Sequence, residues 1–412
     1  MLRDVVQSRD ISTNDILQHL CELAKILDSL KLYDECRLTG NCALDLAERL
    51  GQRALEFRHE QAEALALIAG LSVYKPRART LFSQAVSVCE EVVENNASHS
   101  NKHSLFTVLC RAGSLTSGHL STQWLERAIQ LMTELPPTMV HPHLRSVIYY
   151  HYGNSLRHLE RNSNALKAYD EAISIIRAQV GKNPATSNLH LAQALTNMGM
   201  VLRNLGEYDD AAAAYKEALE ICTTMSTQDP LRYNEQVAIT LLNYGVTLEE
   251  SNQVSEAAVV KKQAVSLFRD LAQTGNERTN LLCAALNNYA RSCYLLGQHA
   301  EAVLVYQEFI LMQRDLVATN SEEEKHLIVA LHNIANSFNA LDKGADANAA
   351  ADEVLERNHG RVIACCSHAP DFKACFVCRR GMIPGSPRNI SLSLLVCFVI
   401  LGFFLSTNGY AS

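Results

Sequence analysis

The feature of this chain that most constrains its fold is an internal repeat. Helical stretches recur along the sequence, and a small residue occupies the same position in each of the five clearest ones. These marker residues are Gly153, Gly199, Gly245, Ala290 and Ala335, at spacings of 46, 46, 45 and 45 residues. A period of roughly 20 to 50 residues is typical of solenoids, in which each unit contacts only its neighbours. The repeat therefore predicts one extended array rather than several globular domains.

The unit from Leu191 to Met225 shows what repeats. Apolar residues recur at helical spacing in its first half, and they do so again after a short polar turn. Two amphipathic helices joined by such a turn form a helical hairpin. Small residues are expected where the two helices approach closely, as at Gly199 opposite Ala211 and Ala218, and Tyr215 is expected to fill the gap between successive pairs.

A specific spacing connects these residues to a known family. Gly153 is followed by Ala165 after eleven intervening residues, by Tyr169 after three more and by Ala172 after two more. This spacing resembles the core of the tetratricopeptide repeat, and the LxNxG sequence ending at Gly199 is similar to the kinesin-light-chain-like subclass common in fungal arrays. The resemblance implies an all-α fold, an α-solenoid of about eight tandem tetratricopeptide-like hairpins in a right-handed superhelix. The early aromatic residue of the first helix and the closing Pro of the second are absent.

The N-terminal third carries a weaker form of the pattern. Its markers are Ala24, Ala66 and Leu109. We predict about three degenerate repeats in residues 10–140 and five well-formed repeats in residues 141–358. A linker rich in Cys, Pro and Gly is predicted at 359–389, followed by an apolar C-terminal segment at 390–405.

Composition excludes several function classes. The net charge of −7 and the lack of a basic stripe argue against a nucleic-acid partner. The sequence contains no nucleotide-binding, hydrolase or zinc-protease motif, so no enzyme activity and no cofactor are expected. The first residues include acids and no apolar run, which predicts a cytoplasmic protein whose scattered cysteines are buried, reduced thiols.

In this family the first helix of each hairpin lines the concave face, so its polar positions are candidate ligand contacts. The predicted peptide-binding groove residues are Asn154, Arg157, Asn197, Arg203, Asn243, Asn288, Arg291, Asn333 and Asn336. An amide both donates and accepts, so a row of amides suits the main chain of an extended peptide, while arginines suit its carboxylates. The alternative is that the amides fix contacts between helices and that the arginines are solvated surface residues.

A better-known arrangement in this family clamps the acidic C-terminus of a chaperone and also needs Lys and Arg. The corresponding positions here hold Tyr150, Ile239 and Asn243, and only Asn154 and Asn197 match the amide pair. Recognition of a chaperone tail is therefore not expected.

The apolar run at 390–405 is 16 residues long, shorter than the about 20 residues of a spanning helix. Arg379, Arg380 and Arg388 precede it, as in a C-terminal tail anchor that keeps the repeats facing the cytosol. The alternatives are an apolar helix that caps the array and a misread terminal exon.

The same tail holds the one cluster with metal-ligand chemistry. The weak candidate zinc ligands are Cys365, Cys366, His368, Cys375 and Cys378. Their spacing matches no zinc module, so free or palmitoylated thiols are the favoured alternative and no metal is expected.

Taken together, these patterns predict a non-catalytic protein–protein interaction scaffold or adaptor. Its partner would be a protein or peptide whose extended or helical segment occupies the concave groove. Two alternatives stay open, which are a membrane-tethered scaffold and a repeat sensor module derived from a larger multidomain signalling protein.

Overall fold

The computed structural model describes residues 13–53, 57–179, 184–273, 279–317 and 324–357. These residues form sixteen α-helices and one short 3-10 helix, with no β-strand among them. The predicted all-α fold of tandem helices is therefore confirmed, and the helix number is that of eight hairpins. The chain divides into two compact units, residues 1–207 and 208–412. The predicted boundary at residue 140 between degenerate and well-formed repeats stays a prediction.

Unit 1 contains four hairpins and one further helix. Its helices are α1 (Thr13–Ser29), α2 (Tyr33–Arg53), α3 (Arg58–Ala69), α4 (Ala78–Asn95), α5 (His99–Leu115), α6 (His119–Glu134), α7 (Pro142–His158), α8 (Asn162–Arg177) and α9 (Pro184–Asn204), with the 3-10 helix Ser72–Arg77 before α4. Each helix packs on the next, and the first helices α1, α3, α5, α7 and α9 also contact one another in succession. The first helices thus form a continuous layer.

Unit 2 is built in the same way. Its helices are α10 (Tyr208–Ser226), α11 (Pro230–Glu250), α12 (Val254–Ala272), α13 (Thr279–Leu295), α14 (His299–Val317), α15 (Glu324–Ala340) and α16 (Gly344–Arg357). The first helices α11, α13 and α15 contact one another in succession.

Most of the described turns between consecutive helices share one backbone conformation. In six of the turns that the structure describes, one residue has φ between 57° and 82°; these residues are Lys31, Glu160, Gly206, Asn252, Gly297 and Asp342. The next N–H donates to the carbonyl five residues earlier, as from Arg161 to Leu156 at 2.9 Å. This bond satisfies a carbonyl at the end of the first helix while the chain reverses. Because only two of the six residues are Gly, glycine alone does not mark the turns in the sequence.

The two helices of the α7–α8 hairpin meet at Gly153. A Cβ atom at this position would lie 2.8 Å from Cε1 of Tyr169. The Tyr169 side chain is fully buried, as are Ala165 and Ala172 beside it. Gly153 thus lies at a close approach of the two helices, as expected of the small residues, and the Tyr169 ring against it fixes how closely the helices approach.

The weaker N-terminal pattern is also buried. Ala24, Ala66 and Leu109 are each at most 2 % exposed. In α5 the small residue that contacts the second helix is Gly113, one turn after Leu109, and a Cβ there would lie 2.4 Å from Cγ of Leu125. The α5–α6 hairpin therefore keeps the same close approach with a small residue shifted by one turn.

The cysteines of the described residues are free thiols, as predicted. Seven of these eight are buried, and Cys42 is exposed. Burial raises the pKa of Cys21 to about 11 and that of Cys89 to about 12. These two thiols are therefore protonated at neutral pH and act as small apolar side chains.

Several predictions fall outside the described residues, namely the linker at 359–389, the apolar segment at 390–405 and the metal-ligand candidates from Cys365 to Cys378. Among the helices that are described, none is both long and apolar enough to cross a bilayer. The described ranges also contain no group of three or more His, Cys, Asp or Glu residues that could hold a metal ion.

The substitution Gly153→Ala tests the close approach within a hairpin. We expect it to lower the free energy of unfolding, because overpacking against Tyr169 costs roughly 1–3 kcal/mol and exceeds the about 1 kcal/mol that Ala gains over Gly in a helix. Urea denaturation measures the change. Gly344→Ala is the matched control, since a Cβ at Gly344 meets no atom within 4 Å. Equal behaviour of the two variants would contradict the proposed packing constraint.

Candidate functional site

A half-buried polar surface runs along two neighbouring first helices of unit 1. This surface, the α7–α9 face, consists of Tyr150, His151, Asn154 and Arg157 on α7 and His190, Gln193 and Asn197 on α9. Residues three or four apart share one side of a helix, so each set faces the same way. Three of the predicted groove residues lie on this face.

Two of the predicted groove amides are in direct contact. The Nδ2 of Asn197 donates to Oδ1 of Asn154 at 2.8 Å and to Oη of Tyr150 at 3.0 Å. The Oη of Tyr169 donates to the same Asn154 oxygen at 2.6 Å. The Nδ2 of Asn154 and the Oδ1 of Asn197 form no hydrogen bond with the described residues, so one donor and one acceptor remain available together.

Arg157 lies next to this amide pair. Its Nε is buried and has no hydrogen-bond partner within the described residues, and its Nη2 is 3.4 Å from Nε2 of His158. No carboxylate of the described ranges forms an ion pair with it. Burial raises the pKa of Tyr169, and the nearby Arg157 opposes this effect. The face therefore carries one cation without an acidic partner, while Arg203 is half-buried farther along α9.

The predicted amides of unit 2 have varied surroundings. Asn333 Nδ2 donates to Oη of Tyr306 at 3.0 Å, and Asn288 Nδ2 donates to a carbonyl of its own helix at 2.9 Å. Asn243 and Asn336 are half-buried, and the Asn243 amide has no hydrogen bond within the described part of the chain. Some amides of the row thus fix contacts between helices, which is the alternative that the sequence left open.

Unit 2 contains a buried charge cluster at the repeat position that Tyr169 occupies in unit 1. Lys261 Nζ on α12 lies 2.6 Å from Oε2 of Glu249, and Arg291 Nε lies 3.0 Å from Oε1 of the same carboxylate. Lys261 also donates to Oγ of Ser292 at 2.9 Å. The Lys261 side chain is 0 % exposed and that of Glu249 is 7 % exposed. Glu249 therefore offsets the charge of Arg291, which the sequence suggested as a groove cation.

Sequence reasoning missed Lys261, although a signal was present. Lys261 follows Gly245 by the same interval that separates Tyr169 from Gly153, and a Cβ on Gly245 would lie 2.6 Å from its Cγ. Burial lowers the pKa of Lys261, and Glu249 opposes this shift. A lysine at a position of buried tyrosines predicts a nearby carboxylate, because a buried charge needs a partner.

Comparison with known proteins identifies a family model that matches part of this chain. Residues 144–224 and 190–270 match a family model described as "Tetratricopeptide repeat". No curated protein matches the chain.

Two solved structures share the fold of this chain at low sequence identity, and a third resembles it over a smaller part of the chain. The apo form of RapI has a TM-score of 0.52 at 10% identity, over 84% of this chain and 98% of that one. The apo form of the quorum sensor NprR from B. thuringiensis has a TM-score of 0.52 at 13% identity, over 87% and 91%. BtubC from P. vanneervenii has a TM-score of 0.46 at 17% identity, over 58% and 91%.

The charge cluster predicts a large coupling between Glu249 and Lys261. We expect Glu249→Gln to lower the free energy of unfolding by about 3 kcal/mol, because it leaves a buried cation without its carboxylate. In a Lys261→Met background the same change should cost much less. Urea denaturation of both single variants and the double variant gives the coupling energy. Additive effects would show that the pair contributes no specific interaction.

Proposed function

We propose that this chain, whose residues 144–270 match the tetratricopeptide-repeat family, is a non-catalytic scaffold that binds a protein or peptide segment along its first helices. An array of first helices offers an extended surface on a rigid framework. The polar residues on it include amides and arginines, which can bind main-chain and carboxylate groups.

The amide pair of Asn154 and Asn197 is the observation that carries the proposal. Hydrogen bonds from Tyr169 and to Tyr150 hold both side chains in place. Because the amides are already ordered, little side-chain entropy is lost when a ligand binds. The remaining donor and acceptor can bind the carbonyl and the N–H of a ligand main chain.

Charge favours unit 1 for an acidic part of the ligand. Arg157 has no carboxylate partner within the described residues, and we propose that it and Arg203 contribute charge-assisted bonds. Arg291 contributes less, because Glu249 already pairs with it. We extend the main-chain binding role to Asn243, whose amide is available, and more weakly to Asn288, Asn333 and Asn336.

The double variant Asn154→Ala/Asn197→Ala tests this function. Wild-type and variant chains are immobilised, and the proteins that each retains from a lysate are measured by quantitative mass spectrometry. We expect about ten-fold lower recovery of specific partners, since two lost hydrogen bonds are worth roughly 1–3 kcal/mol.

Two further variants keep the experiment interpretable. Asn164→Ala alters an exposed Asn on the second helix α8 and should retain all partners. Asn197→Ala alone preserves the Tyr169–Asn154 bond and should still lose partners. The proposal fails if both Asn197 variants retain the same proteins as the wild type while their thermal unfolding is unchanged.

A further inference from the structure

A cavity of about 210 Å³ opens beside the amide pair, between α7, α8 and α9. Its walls are Ser146, Val147, Tyr150, His151, Ile176, His190 and Gln193. The polar groups on the walls include one imidazole from α7, one imidazole from α9, a phenol hydroxyl and a carboxamide. His151 lies 46 residues before Asn197, so it occupies the first position of the amide row, whereas nothing in the repeat spacing pointed to His190.

The polar groups of this cavity have unused hydrogen-bonding capacity. No described residue forms a hydrogen bond with the His151 or His190 ring. Tyr150 Oη accepts from Asn197, so its O–H is available to donate. The ring of His143 stacks on that of His190, with centroids 5.1 Å apart and an interplanar angle of 24°. This stacking holds the His190 imidazole at the cavity wall.

The cavity also lacks an acidic residue within the described part of the chain. Burial lowers the pKa of His151, and His190 lowers it further. Burial likewise lowers the pKa of His190, with a smaller contribution from His143. The titratable groups that face the two rings are thus Tyr150 and His143 from α7 and the rings themselves, while α8 contributes Ile176. Among these described residues, no carboxylate serves as a counterion when an imidazole is protonated.

We propose that this cavity binds a carboxylate group of the ligand, from an acidic side chain or from a chain terminus. The imidazole N–H groups, the Tyr150 hydroxyl and the Gln193 amide can donate to its oxygens, and Val147 and Ile176 can pack on the adjoining methylene groups. The identity of the ligand as a peptide rests on the proposed function, but the chemistry of the cavity does not.

The wall chemistry favours a carboxylate over a phosphate. Phosphate sites usually contain arginine or lysine, and neither residue type is among the described residues that line this cavity. A single negative charge can instead be balanced when one imidazole takes up a proton. A bound carboxylate raises the pKa of the nearby imidazoles. Affinity should therefore increase as the pH falls through the bound-state pKa and level off below the free-state pKa.

Histidine NMR of the full chain, with 13C-labelled imidazoles, tests this site without knowledge of the natural ligand. The probes are the N-methylamide of N-acetylglutamic acid for a side-chain carboxylate, N-acetylglycine for a terminal carboxylate, and the N-methylamide of N-acetylglutamine as the neutral control. His151 and His190 are assigned from His151→Gln and His190→Gln.

We expect at least one carboxylate probe to shift both resonances saturably and to raise both imidazole pKa values. His190→Gln should weaken this binding about ten-fold, the loss expected for one charge-assisted bond of roughly 1.5 kcal/mol. His119→Gln is the matched control, because His119 is exposed on α6, and it should change nothing.

The inference is overturned if the wild-type resonances do not respond, if the neutral probe acts equally well, or if inorganic phosphate binds more tightly than either carboxylate. The variants serve to assign the two resonances, whereas the response of the wild-type imidazole resonances to each probe is measured on the unaltered chain. The two proposals also fail separately. If no probe binds in the cavity, the test of partner capture by the amide pair is unaffected. If the Asn197 variants capture the same partners as the wild type, the probe titration remains a valid test of the cavity.

Discussion

The repeats depend on how closely the two helices of a hairpin can approach each other. At Gly153 the absence of a side chain lets the ring of Tyr169 lie directly on the backbone of the first helix. The ring is then fully buried, and its hydroxyl reaches Asn154 on the same first helix. One packing contact therefore both closes the hairpin and orders a polar group on the surface next to it.

A different solution to the same constraint appears in unit 2. The long side chain of Lys261 lies over Gly245 where a tyrosine would otherwise pack. Its ammonium group is buried, so Glu249 and Ser292 are needed beside it. Because that carboxylate also pairs with Arg291, the local charges of unit 2 are largely satisfied internally. In unit 1 the tyrosine keeps the hairpin contact neutral, and Arg157 and the two cavity histidines are left without acidic partners among the described residues.

Periodicity made much of the fold predictable. The markers gave the hairpins and the buried alanines, since a helix that must pack on both neighbours repeats its small and large residues at fixed spacing. The candidate site was predictable only in part. The amide positions followed from the repeat, but the contact between Asn154 and Asn197 did not, because it joins residues of successive hairpins. His190 was also missed, because its importance depends on residues of a neighbouring hairpin that the repeat spacing does not identify.

The sequence alone determined that the chain is all-α, that it is built from tandem hairpins, and which residues face the helix seams. These properties depend on local spacing, which one helix and its neighbour in the chain already define. Only the tertiary structure decided which polar residues are satisfied and which remain available. Hydrogen bonds and ion pairs act over about 3 Å, and the partners of Asn197 and Lys261 come from helices whose separation in space no spacing rule specifies.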